Sequence, residues 1–293
     1  MEVILESNNI SQNVFNSIND IFSKIFSSID ENIYYILDDI TFINKDLVEN
    51  YKLNKIIGNN NSEGILLICN ALILGVILYY SINYLISHLT LSKVEQPTQF
   101  IFRLIIFSIL MNYSVWICTW IIEIVSIITN IIRQIGESLF NESICFSKFI
   151  ELINEKIYIE ENLNLFSFDG VIKSFISFGF INLIFSNALR YIMVQVLLIL
   201  SPFAFLCLIN QKTEWIFKKW ILIFLTLLLE QILISVILVL AFSFEKMLNK
   251  EIVKLLYVGI LYGLIKANSF MSQIFGGIST TVGTGINTMK TIK

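Results

Sequence analysis

The sequence has too little charge for a water-soluble domain of its length. Only 15% of its 293 residues are charged, whereas about a quarter are charged in typical soluble domains. Two prolines and 12 glycines leave little room for long flexible linkers. The net charge of −3 and the lack of a basic stripe argue against a nucleic-acid surface. Hydrophobic residues make up 56% of the chain, and this excess predicts that lipid is its main solvent.

Residues that build catalytic and metal sites are also scarce. The single histidine, His88, cannot form a histidine-rich metal site and is more typical of a polar residue at a membrane interface. No motif of a serine hydrolase, zinc protease, phosphate-binding loop or dinucleotide site occurs. We therefore expect no enzymatic activity, no cofactor and no metal. Three of the four cysteines stand in apolar runs, where a small hydrophobic role is expected; the four are Cys69, Cys118, Cys145 and Cys207.

Long apolar runs predict an all-α fold, that of a polytopic helical integral membrane protein with an amphipathic N-terminal helical region. A helix of about 20 apolar residues crosses about 30 Å of hydrocarbon. By this criterion we expect about five transmembrane helices, at residues 64–91, 104–131, 183–208, 217–243 and 252–270.

The apolar run 171–209 is too long for one straight crossing. As a single helix it would measure about 58 Å, nearly twice the hydrocarbon thickness. One arrangement places 171–182 at the interface and lets 183–208 span; the other has two shorter segments with a break near Asn187. We expect the first, because each half alone is marginal as a span.

Three polar segments frame the membrane domain at 64–274. Residues 1–63 carry apolar residues at helical spacing and an acidic opposite face, and predict an external amphipathic helical segment rather than a signal peptide. That segment could pack on the membrane domain, lie on lipid or bind a partner; the acidic face favours protein contact over lipid. Residues 132–170 are expected to form an external loop, and 275–293 a cytoplasmic tail.

Basic residues in short loops indicate the orientation of the chain. The connectors at 92–103 and 210–219 are basic, as is the tail, whereas 1–63 and 132–170 are acidic. Cytoplasmic loops are enriched in Lys and Arg. We therefore expect a multi-pass membrane protein with its N-terminus outside and its C-terminus in the cytoplasm.

Several polar residues lie inside apolar runs, where insertion of a charge costs at least about 2.5–3.5 kcal/mol. Arg190 and Glu230 stand on consecutive runs joined by a short connector, so we expect them to pair. The pair could fix helix register or form part of a transport path, and a structural role is favoured. Gly259 and Gly263 form a GxxxG pattern that predicts close helix packing inside the bundle. The full set of intramembrane polar residues is Arg190, Glu230, Gln231, Glu123 and Lys266.

The stretch 190–230 resembles the TrbL family of conjugation proteins. The matching features are Arg190, an apolar run that ends in Ser201-Pro202-Phe203-Ala204, Thr213 in the connector, and Phe217 and Trp220 at the start of the next run. TrbL proteins are polytopic inner-membrane subunits of type IV secretion systems. Their general layout of about five spans is similar to that expected here.

The resemblance implies a non-enzymatic channel or scaffold component that supports transfer of DNA and protein across the membrane. It also implies an external stalk and ATPases of the secretion system as partners, a homo-oligomeric state in the lipid bilayer, and only transient contact with the transferred DNA or protein. The alternative is a small-molecule or ion permease that uses Glu230 and Arg190 as a coupling site. An internal repeat, which many permeases have, is not evident in the sequence.

Overall fold

The computed structural model describes residue 17 and residues 31–49, 55–58, 64–90, 96–156, 168–244 and 250–276. Throughout these ranges the regular secondary structure is helical, and no strand occurs in them. The helices are α1 Glu31–Thr41, α2 Asp46–Glu49, α3 Ile65–Thr90, α4 Pro97–Asn112, α5 Ser114–Phe140, α6 Phe146–Lys156, α7 Phe168–Ile199, α8 Ser201–Leu206, α9 Glu214–Ser243 and α10 Lys250–Phe275.

Five helices are long and apolar enough to cross a membrane, namely α3, α5, α9 and the segments Phe178–Ile199 of α7 and Ile252–Phe275 of α10. The prediction of an all-α polytopic membrane protein is confirmed. Helix α9 is the central helix, since half of its most apolar stretch is buried, against 6% for α3. Apolar side chains cover α3 on nearly all sides, as expected for a helix in lipid.

Helices α5, α7, α9 and α10 form a bundle with alternating directions. An ideal Cβ on Gly136 of α5 would touch Val239 near the end of α9, while Ser114 at the other end of α5 bonds Ser201 of α8, a helix that packs through Phe205 on Trp220 near the start of α9. Helices α5 and α9 therefore run parallel. Helices α7 and α10 run the opposite way. The connector 207–213 and the end of α10 lie at one end of the bundle, called the connector end here.

The second expected span, 104–131, is interrupted at Tyr113. The Asn112 side chain bonds back to the carbonyl of Ser108 at 2.9 Å and exchanges bonds with Asn70 at 3.3 Å. Local side-chain bonds of this kind compete with the helix backbone. Helix α5 then continues past residue 131 to Phe140 and ends at Asn141, which adopts the left-handed conformation with φ 57°. Part of the expected external loop is therefore helical.

The long run 171–209 has no break near Asn187, so the expected alternative of two shorter segments is wrong. Helix α7 continues without a break through Asn187 and ends at Ile199, short of the expected boundary at 208. Pro202 has no N–H for the carbonyl of Leu198, so the helix cannot continue through it. The short helix α8 begins there instead, with the proline in its first turn, where prolines are favoured. With 32 residues, α7 is about 48 Å long.

One side of residues 36–47, which the sequence places outside the membrane domain, packs against the bundle, whereas Ile36, Asp39 and residues 44–46 are exposed. Leu37, Ile43 and Leu47 are buried, because their apolar stripe packs on the protein's own helices. Farther on, Ile56 contacts Gly64 at the start of α3, at the connector end. The chain thus runs through the bundle before α3 begins. Residues 1–16, 18–30 and 277–293, with their expected helix and tail, lie outside the described ranges.

The GxxxG pair is not at a helix contact. An ideal Cβ at Gly259 would meet nothing within 4 Å, and at Gly263 only Ile237 at 4.0 Å. Gly259 is exposed, and half-buried Gly263 leaves room for a methyl group beside Ile237, so neither glycine marks a close approach of helices and the expectation of close packing there is wrong. Close approach occurs at other glycines: a Cβ at Gly179 would lie 2.5 Å from Leu261, and at Gly136 2.8 Å from Val239.

We expect Gly179→Ala to lower the melting temperature of the detergent-solubilised protein, because overpacking against Leu261 costs about 1–3 kcal/mol. The matched control is Gly259→Ala, where the added methyl group has open space and should leave stability unchanged or raise it by roughly 0.5–1 kcal/mol. Equal melting temperatures of the two variants would contradict this difference in packing.

Candidate functional site

A layer of buried polar residues separates two apolar cores of the bundle. On α7 the buried residues of one core end at Leu183, and those of the other begin at Val194. On α9 the corresponding boundaries are Leu228 and Ile234. The polar residues in between are buried in the described structure: Ser186, Asn187 and Arg190 on α7, and Glu230 and Gln231 on α9.

Arg190 and Glu230 form an ion pair at the centre of this layer. Arg190 Nη1 lies 3.9 Å from Glu230 Oε2, and the two side chains are 0% and 3% exposed. Asn268 of α10 donates from Nδ2 to Glu230 Oε2 at 2.5 Å. Arg190 Nη2 donates to the backbone carbonyl of Thr41. Four separate parts of the chain therefore meet at one charged pair.

The register of α7 on α9 follows from a second contact about two to three turns away. Trp220 donates from Nε1 to the carbonyl of Leu197 at 3.1 Å. Leu197 lies in the last turn of α7, where carbonyl groups lack partners within the helix. From this contact, Arg190 is about 10 Å along α7 and Glu230 about 15 Å along α9 in the same direction. The long arginine side chain spans the difference between these two positions along the bundle.

The turn after α1 supplies backbone groups to the layer. Ile43 N–H donates to Gln231 Oε1 at 2.9 Å, two residues after the carbonyl of Thr41 that accepts from Arg190. The backbone at 42–44 is not helical. Non-helical backbone at membrane depth is tolerated where protein surrounds it and satisfies its polar groups. The buried side chains on α7 and α9 meet this condition.

The other expected intramembrane polar residues lie elsewhere. Lys266 is half-buried on α10, and its Nζ lies 5.7 Å from the ring centroid of Tyr262. Glu123 is half-buried on α5 and contacts no charged partner among the described residues. Sequence reasoning missed Asn268, the second partner of Glu230. A signal was present, because Tyr257, Leu261, Leu264 and Asn268 repeat at helical spacing and share one buried face.

The motif residues build the turn from α7 through α8 to α9. Ser201 is buried and bonds Ser114 of α5 at 3.3 Å, and Pro202 starts α8. Thr213 Oγ1 donates to the carbonyl of Cys207 at 2.7 Å and closes the connector. The Trp220 ring stacks on Phe224 at 5.4 Å. Each motif residue thus holds one part of the turn.

Asp38 ties α1 to the start of α6, at the other end of the bundle. Its two carboxylate oxygens accept from the backbone N–H of Phe146 at 3.0 and 3.2 Å. Burial raises the pKa of Asp38 to about 6, and this effect outweighs the opposite influence of the Phe146 bond and of Arg133.

Neither a protein-family model nor a curated protein nor a solved structure matches this chain.

We predict that Arg190 and Glu230 are energetically coupled. Arg190→Ala or Glu230→Ala leaves a buried charge without its partner, which costs on the order of 3–5 kcal/mol. The double variant should be less destabilised than the sum of the single variants. Thermal stability of all four proteins in detergent measures the coupling, and strict additivity would show that the residues act separately.

We predict that Asp38 makes the protein more stable as the pH falls from 7.5 to 4.5. The folded state binds the Asp38 proton at a pKa of about 6, above the 3.8 of the unfolded chain. Its stabilisation is therefore complete below pH 3.8 and lost as the pH rises through 6. Asp38→Asn should exceed the wild type in stability at pH 7.5, by on the order of 1–3 kcal/mol.

The difference between Asp38→Asn and the wild type should shrink towards acid pH, and urea or thermal unfolding at several pH values measures it. Asp46→Asn, at an exposed carboxylate of α2, is the control and should show no such trend. A constant difference between pH 4.5 and 7.5 would contradict the prediction.

Proposed function

We propose that the protein is a non-enzymatic membrane subunit of a conjugative type IV secretion system, a channel or scaffold component similar to TrbL proteins. The observation that carries this proposal is the turn from α7 through α8 to α9. The residues that resemble the family there, Ser201, Pro202, Thr213 and Trp220, each make a contact that depends on their chemical type.

A scaffold needs a fixed arrangement of helices, and the turn supplies one. The Trp220 bond to Leu197 sets the register of α9 on α7, and the Arg190–Glu230 pair with Asn268 joins these helices to α10. Buried polar networks of this kind can specify one packing of otherwise similar apolar helices. The energy for transfer would come from partner ATPases.

The distribution of charge supports an orientation. The connector end carries Arg103, Lys212, Lys218 and Lys219 beside the acid Glu214. We propose that this end faces the cytoplasm and its ATPases, because cytoplasmic connectors are rich in basic residues. The opposite end, with Asp38 and α6, would then face outward, towards the external stalk. The membrane would be the bacterial inner membrane, and lipid or further copies of the chain would cover the apolar outer surface.

A permease that couples transport to the Arg190–Glu230 pair is the second candidate. Its support is the complete burial of this pair within candidate membrane helices, since ionisable residues at that depth often mark transport paths. The network of Thr41 and Asn268 around the pair supports a structural role more directly.

The proposed function predicts that deletion of the gene abolishes conjugative transfer of the element that carries it, and that the wild-type gene restores transfer. Trp220→Phe removes the bond to Leu197, leaving a buried carbonyl unpaired at about 1–3 kcal/mol, and should reduce transfer at least about tenfold. Mating assays with equal membrane levels of each protein measure both effects.

The matched control for Trp220→Phe is Trp215→Phe, because Trp215 lies on the same helix with 63% of its surface exposed. This variant should transfer like the wild type. Normal transfer after deletion of the gene would refute the secretion role, and a simultaneous loss of solute uptake would favour the permease.

A further inference from the structure

A cavity of about 330 Å³ lies between the turn after α1, the helix α5 and the start of α6. Asp39, Asn44 and Asn130 line it and are exposed, whereas Thr129 and Gln231 line it and are buried. The cavity thus leads from an exposed polar mouth to a buried polar floor. Its volume corresponds to on the order of ten water molecules.

Gln231 at the floor has a fixed orientation. The backbone N–H of Ile43 donates to Gln231 Oε1 at 2.9 Å. A backbone N–H can only donate, so the carbonyl oxygen of the side-chain amide must face Ile43. The amino group of the amide then points away from Ile43. This Nε2 is buried and has no hydrogen-bond partner among the described residues. A buried donor of this kind requires an acceptor, and a small polar cavity can provide one as water.

The charges along the cavity favour cations. Asp38 and Asp39 on α1 and Arg133 on α5 are its charged lining residues, with a net charge of −1 when both carboxylates are ionised. Arg133 is also engaged, because its Nε donates to the Ile144 carbonyl at 2.8 Å and its guanidinium lies 4.4 Å from the Phe42 ring centroid. A cleft with a net negative charge concentrates small cations.

We propose that this cavity is a water-filled vestibule that admits small cations, in preference to anions, as far as Gln231 in the polar layer. Gln231 follows Glu230 directly in α9, so the vestibule brings water and cations to the helix turn that carries the buried ion pair. The proposal concerns access to the layer and does not depend on the secretion role.

The test measures how fast thiols in the cavity react with charged methanethiosulfonate reagents. The probes are the trimethylammonium-ethyl reagent, a cation, and the sulfonatoethyl reagent, an anion. The first reporter is Cys145, which lines the cavity, in a Cys207→Ala protein. The second is Thr129→Cys at the floor, with Cys145→Ser and Cys207→Ala. The remaining thiols, Cys69 and Cys118, are buried.

Both reporters should react with the cationic reagent, whereas Thr226→Cys, buried in an apolar core, should not. Ser138→Cys, at an exposed position of α5, gives a reference rate for each reagent. Division by these rates corrects for the different intrinsic reactivity of the two reagents. After this correction, the cationic reagent should react roughly tenfold faster than the anionic one at Thr129→Cys.

Charge variants show whether the lining residues cause the preference. Asp39→Asn removes an exposed carboxylate at the mouth and should bring the corrected ratio close to one. Glu151→Gln removes an exposed carboxylate of α6 outside the cavity lining and should leave the ratio unchanged.

Two results would overturn the proposal. The first is a lack of reaction at both Thr129→Cys and Ser126→Cys, a second lining position one helical turn away on α5, in protein with a normal melting temperature, because the cavity would then be dry. The second is a faster reaction with the anionic reagent, because the donor groups of the floor would then decide selectivity.

Discussion

A guanidinium group inside a helix bundle must be given hydrogen-bond acceptors and a counter-charge, and the position of Arg190 imposes this requirement on the whole fold. Glu230 supplies the charge and Thr41 supplies a carbonyl, while Asn268 holds the carboxylate in place. These contacts thus link α9, α10 and the turn after α1 to α7, while Arg190 Nε and Nη1 have no hydrogen-bond partner among the described residues. Loss of either charge would leave the other in a site of low polarity, which is why the network acts as a unit.

The end of α7 also needs partners for buried polar groups, but these groups are uncharged and therefore cost less free energy to bury. A proline ends the helix and leaves carbonyl groups without partners in its last turn. The indole N–H of Trp220 donates to the carbonyl of Leu197. The hydroxyl groups of Ser201 and Thr213 form the other hydrogen bonds of the turn. The aromatic rings of Phe205, Phe217 and Phe224 pack around Trp220 and exclude lipid from these polar contacts.

Composition and apolar runs were enough to predict the helical membrane class, because insertion into lipid depends mainly on average hydropathy. The helix breaks and the partners of the buried polar residues were harder to predict. The break at Tyr113 follows from side-chain bonds of Asn112, which hydropathy does not register. Arg190 and Glu230 could be singled out because charge in an apolar run is rare, whereas Asn268 is neutral and stood out less. The burial of Leu37, Ile43 and Leu47 required knowledge of the space between other helices, and one amphipathic stripe fits several surfaces equally well.

The passage of the N-terminal segment through the bundle constrains how the protein is made. Thr41 bonds a residue 149 positions later in the chain, and Ile43 one 188 positions later. Because the ribosome synthesises the chain from its N-terminus, neither Arg190 nor Gln231 exists when the segment emerges. The first part of the described chain to be synthesised is therefore among the last to reach its final place. Until then, the helices that cover its apolar stripe in the folded protein are not yet in place.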